Sequence, residues 1–282
     1  MRLSPGNSLW VQLHTIMTNK KIGILGVGMV GGAHKRYFED VGYTVVVYDP
    51  PQGFTDTTVL TNCEAYIVCV PTPFSHDRNK SGFDASYVEE ALKVVPKGGL
   101  VIIKSTILPG TTEKLQKEFP QLNIIFSPEF LTEATADHDT RHPARQIVGY
   151  TAQSKPYAQK ALDLLPSAPF HTMISSRDAE MVKYFSNTFY ATKVIFANQI
   201  YDLCQKLGID YDVVRESVQH DPMIAPRHLD VMHKGYRGYG GACLPKDTKS
   251  LIQFGDDVGQ EMKLLKLVEK LNDELVRNQK KN

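Results

Sequence analysis

Cysteine is scarce in this chain: four residues, Cys63, Cys69, Cys204 and Cys243, are spread over 282 positions with no CxxC pair among them. That argues against a disulfide-stapled secreted scaffold and a thiolate zinc centre, and it points to a reducing, cytoplasmic setting. The nine histidines fall in no metal-ligand spacing, so no metal is expected. No apolar run approaches the roughly 20 residues that span a bilayer, so no membrane partner is expected. Charge of one sign is missing too, with 32 Lys and Arg against 31 Asp and Glu, which leaves no field to steer the protein to nucleic acid. Neither internal repeats nor low-complexity tracts occur. The opening MRLSPGNSLWVQLHTIMTNKK has no secretory apolar core and no small-residue cleavage site. Met17 stands just before the first patterned segment, so residues 1–16 are expected to be a disordered extension.

What is present is length enough for two hydrophobic cores. The segment KIGILGVGMVGGAHKRYFEDVGYTVVVYDP reads as a strand, a glycine turn, an amphipathic helix and a second strand ending in an acid. Strand-length apolar segments follow at AYIVCV (65–70), LVIIKS (100–105), NIIFS (123–127), RQIVGY (145–150) and near PFHTMI. Helical segments such as DASYVEEALKVV, TTEKLQKEF and SKPYAQKALDLLPS alternate with them. This alternation predicts an α/β domain, a Rossmann-like doubly wound, mostly parallel sheet over residues 17–174. About fifteen residues separate Asp49 from Ala65, too few for a full crossover helix, so the third unit is abbreviated. From about Ser175 some thirty residues keep helical periodicity, with no glycine until Gly208. An all-α domain built on that one long helix is expected over 175–260, with a helical tail over 261–282.

Gly26-x-Gly28-x-x-Gly31 follows a strand and opens a helix, the context a dinucleotide fingerprint requires. Backbone N–H groups of the loop, including Met29 and Val30, and the helix N-terminus suit a pyrophosphate. Asp49 ends the next strand, where its carboxylate can accept from both ribose hydroxyls and would repel a 2′-phosphate; NAD is therefore favoured over NADP. Lys183 and Asn187 are spaced i, i+4 and share one face of the long helix. Beside a thiol, an ammonium and a carboxamide would favour thiolate and donate to an oxyanion. Cys243 sits in GYGGACLPKD, between a glycine-rich turn and a lysine–aspartate pair. Cys69, Cys63 and Cys204 read as structural. The aromatic residues Tyr184, Phe185, Phe189, Tyr190 and Phe196 of the long helix read as packing against the other domain or a second copy of the chain.

Taken together, GVGMVG, CVPTP (69–73), KSTILPGTT (104–112), SPEFLTEATA (127–136), AEMVKYFSN (179–187) and GYGGACLPKDT (238–248) resemble the UDP-glucose/GDP-mannose dehydrogenase family. The resemblance covers about residues 20–255. It implies an NAD-dependent, two-step oxidation of a nucleotide sugar's primary alcohol to a carboxylate, with UDP-glucose as leading substrate. It makes Cys243 the nucleophile that captures the aldehyde as a thiohemiacetal, later a thioester. Lys183 and Asn187 are implied to steady the oxyanion, and Asp247 and Thr106 to position water and relay protons. Glu133 is similar to the family's carboxylate for thioester hydrolysis, with Glu129 one turn earlier if that segment is helical. The same resemblance places Pro71, Thr72 and Thr106 at the cofactor, and Phe130, Leu131, Gly238, Tyr239, Gly240 and Gly241 at the sugar nucleotide. It further implies a homodimer through the long helix.

Two departures from the family pattern are visible. Family members continue into a second Rossmann-like domain that this chain does not reach, which predicts weak substrate affinity. Met223 stands where relatives carry an arginine, with Arg227 or Arg237 as candidate replacements. The competing expectation is a non-catalytic NAD-binding or assembly module that pairs with a full-length relative. A hydroxyacid dehydrogenase is disfavoured because one hydride transfer needs no thiol adduct.

Overall fold

A computed structural model describes residues 20–75, 82–224, 226–233 and 235–279; the expected extension at 1–16 lies outside them. The chain divides into two compact units, 1–72 with 85–183 and 73–84 with 184–282. The division falls inside the long helix rather than at 174/175, and the short segment 73–84 groups with the helical unit.

The first unit is a seven-stranded sheet in the order β2-β1-β3-β4-β5-β6-β7. Its strands are β1 (Lys21–Leu25), β2 (Thr44–Tyr48), β3 (Cys63–Val68), β4 (Leu100–Ile103), β5 (Asn123–Phe126), β6 (Arg145–Tyr150) and β7 (Phe170–Ser175). Pairing is parallel throughout except between β5 and β6, which run antiparallel. Strands β4 and β5 are buried along their whole length, which explains the apolar LVII of β4 and IIF of β5, since a sheet covered on both faces wants apolar residues; Asn123, which opens β5, donates through Nδ2 to the Gly98 carbonyl at 3.2 Å. The edge strand β2 is only half-buried. Helices α1 (Met29–Asp40), α2 (Ser86–Lys93), α3 (Thr111–Glu118), α4 (Ala136–Arg141) and α5 (Ala158–Leu164) connect these strands. Between β2 and β3 the short connection forms two 3-10 turns, Pro50–Gln52 and Thr58–Leu60, in place of a crossover helix, as the spacing predicts. Ile22, Ile24, Phe38, Ile67, Ile102, Ile125 and Val148 form the core.

Several strands end earlier than their apolar runs. Cys69 and Val70 lie beyond β3, and Lys104 and Ser105 beyond β4. These residues therefore sit in the loops at the carboxyl edge of the sheet. Here β1 and β3 are neighbours although β2 intervenes in the chain, so the strand order reverses at the position where open α/β sheets bind ligands.

Helix α6 (Ser176–Leu207) starts directly after β7. Ser175 caps it, accepting from the Asp178 backbone N–H at 3.2 Å. The second unit holds the rest of α6, α7 (Tyr211–Val218), α8 (Leu244–Asp257) and α9 (Lys263–Gln279). Asp210 caps α7 by accepting from Asp212 N–H at 2.9 Å. A two-stranded ladder of β8 (Met232–His233) and β9 (Tyr236–Arg237) interrupts the otherwise helical unit. Ala191, Val194, Ile195, Tyr239 and Val268 form one apolar cluster of this unit, and Ala197, Cys204, Tyr211, Leu229 and Val231 another. Among the described residues no helix is long and apolar enough to cross a membrane.

Candidate functional site

The glycine loop after β1 is built by close approaches that only glycine permits. Gly26 has φ +86°, and a Cβ on it would come within 2.9 Å of the Cys69 carbonyl oxygen. A Cβ on Gly31 would lie 1.9 Å from the Gly26 oxygen, so the helix can start this near the strand only without side chains. Gly28, the N-cap of α1, has open space where its Cβ would be, and no side chain caps the helix. The uncapped N–H groups face a cleft of about 570 Å³ lined by Val27, Gly28, Met29, Gly32 and Arg36 on one side and by Glu133 to His138 on the other. Met29 is largely exposed there, whereas Val30 is half-buried.

Asp49 is buried, and its Oδ2 accepts from the Val27 backbone N–H at 2.7 Å and from Gln52 Nε2 at 3.0 Å. The acid thus braces the glycine loop with one oxygen. Its Oδ1 makes no bond among the described residues and remains able to accept from a ribose hydroxyl. The loops after β3 and β4 are stitched together: Thr72 Oγ1 donates to the Thr106 carbonyl at 2.8 Å, and Ser105 Oγ to the Val70 carbonyl at 2.7 Å. Pro71 is exposed beside them. Open glycine backbone, an uncapped helix N-terminus and a partly committed acid at the strand-order reversal fit a dinucleotide.

Glu129 is the hub of a polar cluster in the same unit. Its Oε2 meets His34 Nε2 at 2.9 Å and Lys104 Nζ at 3.3 Å, while Oε1 accepts from the Phe130 N–H at 2.9 Å. Burial by itself would raise this carboxyl, but the Lys104 ammonium and the His34 bond outweigh it and hold Glu129 well below the usual carboxylate range. Burial lowers the His34 imidazole, opposed in part by the same bond. Lys104 is itself buried and also donates to Ser127 Oγ at 3.2 Å. The Glu129 main-chain oxygen accepts from Lys183 Nζ at 2.5 Å. Phe130 stacks beneath the Arg145 guanidinium, 3.7 Å from ring centre to Cζ, with Lys183 Nζ at 5.6 Å. Residues 127–132 are not helical, and Glu133 opens a 3-10 turn (Glu133–Thr135). The expectation that Glu129 lies one helical turn before Glu133 is therefore corrected: Glu129 points into the buried cluster, while Glu133 and Leu131 stay outside it.

In the second unit Cys243 is exposed and occupies the N-cap of α8. Its side chain makes no capping bond, and the helix end favours negative charge at that point. One turn on, Asp247 is 1% exposed and accepts from Asn187 Nδ2 at 2.5 Å and from Lys246 Nζ at 2.6 Å. Asn187 is buried, so the i, i+4 pair differs in setting: Lys183 reaches Glu129 and Asn187 reaches Asp247.

The glycine-rich turn departs from expectation. A Cβ on Gly238 would meet Asn272 Oδ1 at 2.6 Å, and one on Gly240 the Tyr236 hydroxyl at 2.6 Å, so packing within the unit accounts for both glycines. Gly241, with φ +73° and open space around it, keeps the accessible backbone predicted for all three. Tyr239 is buried, its backbone N–H and carbonyl both bonded to the Asn272 amide, and burial pushes its phenol up. Arg237 is committed to Asn198, to Asp202 and to the face of Tyr201, so it does not replace the arginine missing at Met223; Arg227 is exposed.

Sequence reasoning missed His34 and Lys104, and also Glu180, which accepts from the Gly110 and Thr112 backbone N–H groups in the stretch after Thr106. Lys104 and Glu180 lie within the blocks KSTILPGTT and AEMVKYFSN, where a charged residue amid apolar ones was the available signal. Nothing local marks His34.

Models of the UDP-glucose/GDP-mannose dehydrogenase family match twice: its NAD binding domain over residues 52–163 and its central domain over 177–274. UDP-glucose 6-dehydrogenase TuaD of Bacillus subtilis is 30% identical over 90% of this chain and 63% of its own length. A Streptococcus pneumoniae UDP-glucose 6-dehydrogenase is 34% identical over 72% of this chain and 53% of its own length. The chain thus spans between half and two thirds of these curated relatives. A UDP-glucose dehydrogenase structure from Pyrobaculum islandicum superposes with a TM-score of 0.79 at 30% identity, covering 90% of this chain and 68% of that one.

Proposed function

Because this chain belongs to the UDP-glucose/GDP-mannose dehydrogenase family, we propose that it oxidises the primary alcohol of a nucleotide sugar, UDP-glucose foremost, to the carboxylate. NAD bound there would accept one hydride per oxidation, a second NAD molecule replacing the first NADH before the second oxidation. Gly26, Gly28 and Gly31 with the α1 N-terminus would hold its pyrophosphate, Asp49 Oδ1 its ribose, and Pro71, Thr72 and Thr106 would line its further course.

The observation that carries the reading is Cys243, an exposed thiol at a helix N-terminus, one turn from a buried Asp247 that Asn187 orients. The thiol adds to the sugar aldehyde, its proton passing to the carbonyl oxygen, so the aldehyde is retained between the oxidations as a thiohemiacetal. Lys183 and Asn187 donate to the oxygen of this adduct. Loss of the second hydride leaves a thioester. Water activated by Glu133, with Asp247 and Thr106 positioning it, releases the carboxylate and returns the thiol. Phe130, Leu131 and the Gly241 backbone hold the sugar nucleotide.

The functional unit is a homodimer through α6. Support comes from Phe189, Phe196 and Leu203, exposed by 53%, 62% and 53% at a strict seven-residue interval, flanked by exposed Phe185 and Leu207. Such a stripe is costly in water and suits a second helix. NADH yield tests the reading: two NADH per UDP-glucose consumed is expected, and one, or none at millimolar substrate with NAD bound, rejects it.

A further inference from the structure

Helix α1, which carries the dinucleotide loop, is joined to the segment 129–141 by three polar pairs. His34 meets Glu129, Arg36 donates to Asp137 at 2.9 Å through Nε, and Asp40 pairs with Arg141. The two arginine pairs are surface contacts of the kind that contribute little. The His34 pair is different: its imidazole is 1% exposed and the carboxylate it meets is charged. His34 Nδ1 is buried and has no hydrogen-bond partner among the described residues. A buried N–H without an acceptor is costly, whereas an unpaired imidazole lone pair is cheaper, so the proton belongs on Nε2, where Glu129 accepts it. The charged and titratable groups around this imidazole are Glu129 and Lys104, with the Cys69 thiol next to both; burial pushes that thiol up, and it stays neutral.

We propose that His34 is a positioning residue: a neutral imidazole that donates Nε2–H to Glu129 and so fixes Glu129, and the Lys183 ammonium held by its main-chain oxygen, to the helix that carries the dinucleotide loop. Lys104 supplies the charge that keeps Glu129 an anion; His34 supplies the direction. Seated cofactor and oxyanion-stabilising lysine then share one rigid support, which matters because both must address the same carbon. The kinetic half of the test rests on the dehydrogenase reading, and the spectroscopic half does not.

Nitrogen-15 NMR of the imidazoles in the full chain, with the His34 signals assigned by their loss in His34→Gln, should show a neutral Nε2–H tautomer across about pH 6 to 8. An Nδ1–H tautomer, or an imidazolium titrating near the ordinary value, overturns the proposal whether or not the protein turns over. In NADH assays His34→Gln, whose amide N–H can replace Nε2–H, should stay within about threefold of wild-type kcat, and His34→Leu should lose about tenfold, the worth of one charge-assisted hydrogen bond. NAD Kd should change less than about threefold in both, separating orientation of Lys183 from collapse of the loop. Equal kcat in His34→Leu and wild type, or equal losses in both variants, overturns the positioning role. If wild type makes no NADH from any nucleotide sugar, the functional reading fails and the tautomer alone judges His34.

Discussion

Glu180 offers a test in which two physical effects of similar size oppose each other. It lies on α6 with no exposed surface, and it accepts from the Gly110 backbone N–H at 2.6 Å, the Thr112 N–H at 2.8 Å and the Thr112 hydroxyl at 2.5 Å. It thereby caps α3 from another element and closes the loop that begins at Lys104 and carries Thr106. Burial raises its carboxyl and the three donors lower it; burial wins, leaving it at about 7 against an ordinary 4.5. Below pH 4.5 the group is protonated in folded and unfolded chain alike, so it carries no penalty. Between 4.5 and 7 the unfolded chain releases a proton that the folded chain keeps, and stability falls as pH rises through this window. The full loss is about 3 kcal/mol, reached above pH 7. Glu180→Gln keeps one carbonyl acceptor and cannot ionise. It should be less stable than wild type at low pH, but the gap should close by about 3 kcal/mol between about pH 4.5 and 8.5. Urea unfolding followed by circular dichroism at both pH values, for both proteins, measures that double difference. A gap independent of pH would remove the burial argument. A gap that widens with pH would mean the three donors prevail and Glu180 is stabilised as an anion.

Three further outcomes are expected. Cys243→Ser should nearly abolish net NADH formation while leaving NAD affinity unchanged in a fluorescence titration; wild-type turnover in that variant excludes the covalent route. Asp49→Ala should weaken NAD by about 1.5 to 3 kcal/mol, roughly ten- to a hundredfold in Kd, because the ribose loses a charged acceptor and Val27 loses its brace; an unchanged titration rejects the ribose assignment. Phe189→Glu combined with Phe196→Glu should turn a dimer into a monomer in sedimentation velocity, since each subunit would bring two charges to an apolar stripe; a persisting dimer assigns the interface to another surface.

What was legible in the sequence, and what was not, follows from the range of each interaction. The glycine loop, the long helix and the missing crossover before β3 are local: periodicity, glycine spacing and segment length act within one or two elements, and the structure carries all three. Strand ends were read too far along because apolar character does not stop where pairing stops. Cys69 and Val70 continue the run of β3, and Lys104 directly follows β4; the N–H groups of Cys69 and Lys104 still bond to the Leu25 and Val68 carbonyls, and the chain beyond them forms the loops of the site. The turn at 238–241 is ambiguous for a related reason. A glycine needed for approach to a ligand and one needed for approach to Asn272 or Tyr236 leave the same mark in a sequence, and only the neighbour distinguishes them.

The polar cluster was the least legible because its pairs join distant positions, His34 to Glu129 and Lys104 to Ser127 and Glu129, and the separate pairing of Glu180 with Thr112 is as distant. No helical or strand period relates such residues, and His34 by itself reads as one more residue on an amphipathic helix. The chemistry still constrains what these pairs can be. A buried lysine at the end of an apolar strand requires a buried anion, a buried anion requires further donors, and loops at the carboxyl edge of β3, β4 and β5 are the elements able to bring them together. The need of Lys104 for a carboxylate partner thus follows from its place at the end of the apolar run LVIIKS. Which carboxylate answers it, and that a histidine from the dinucleotide helix completes its shell, depends on the strand order that places β1, β3, β4 and β5 side by side.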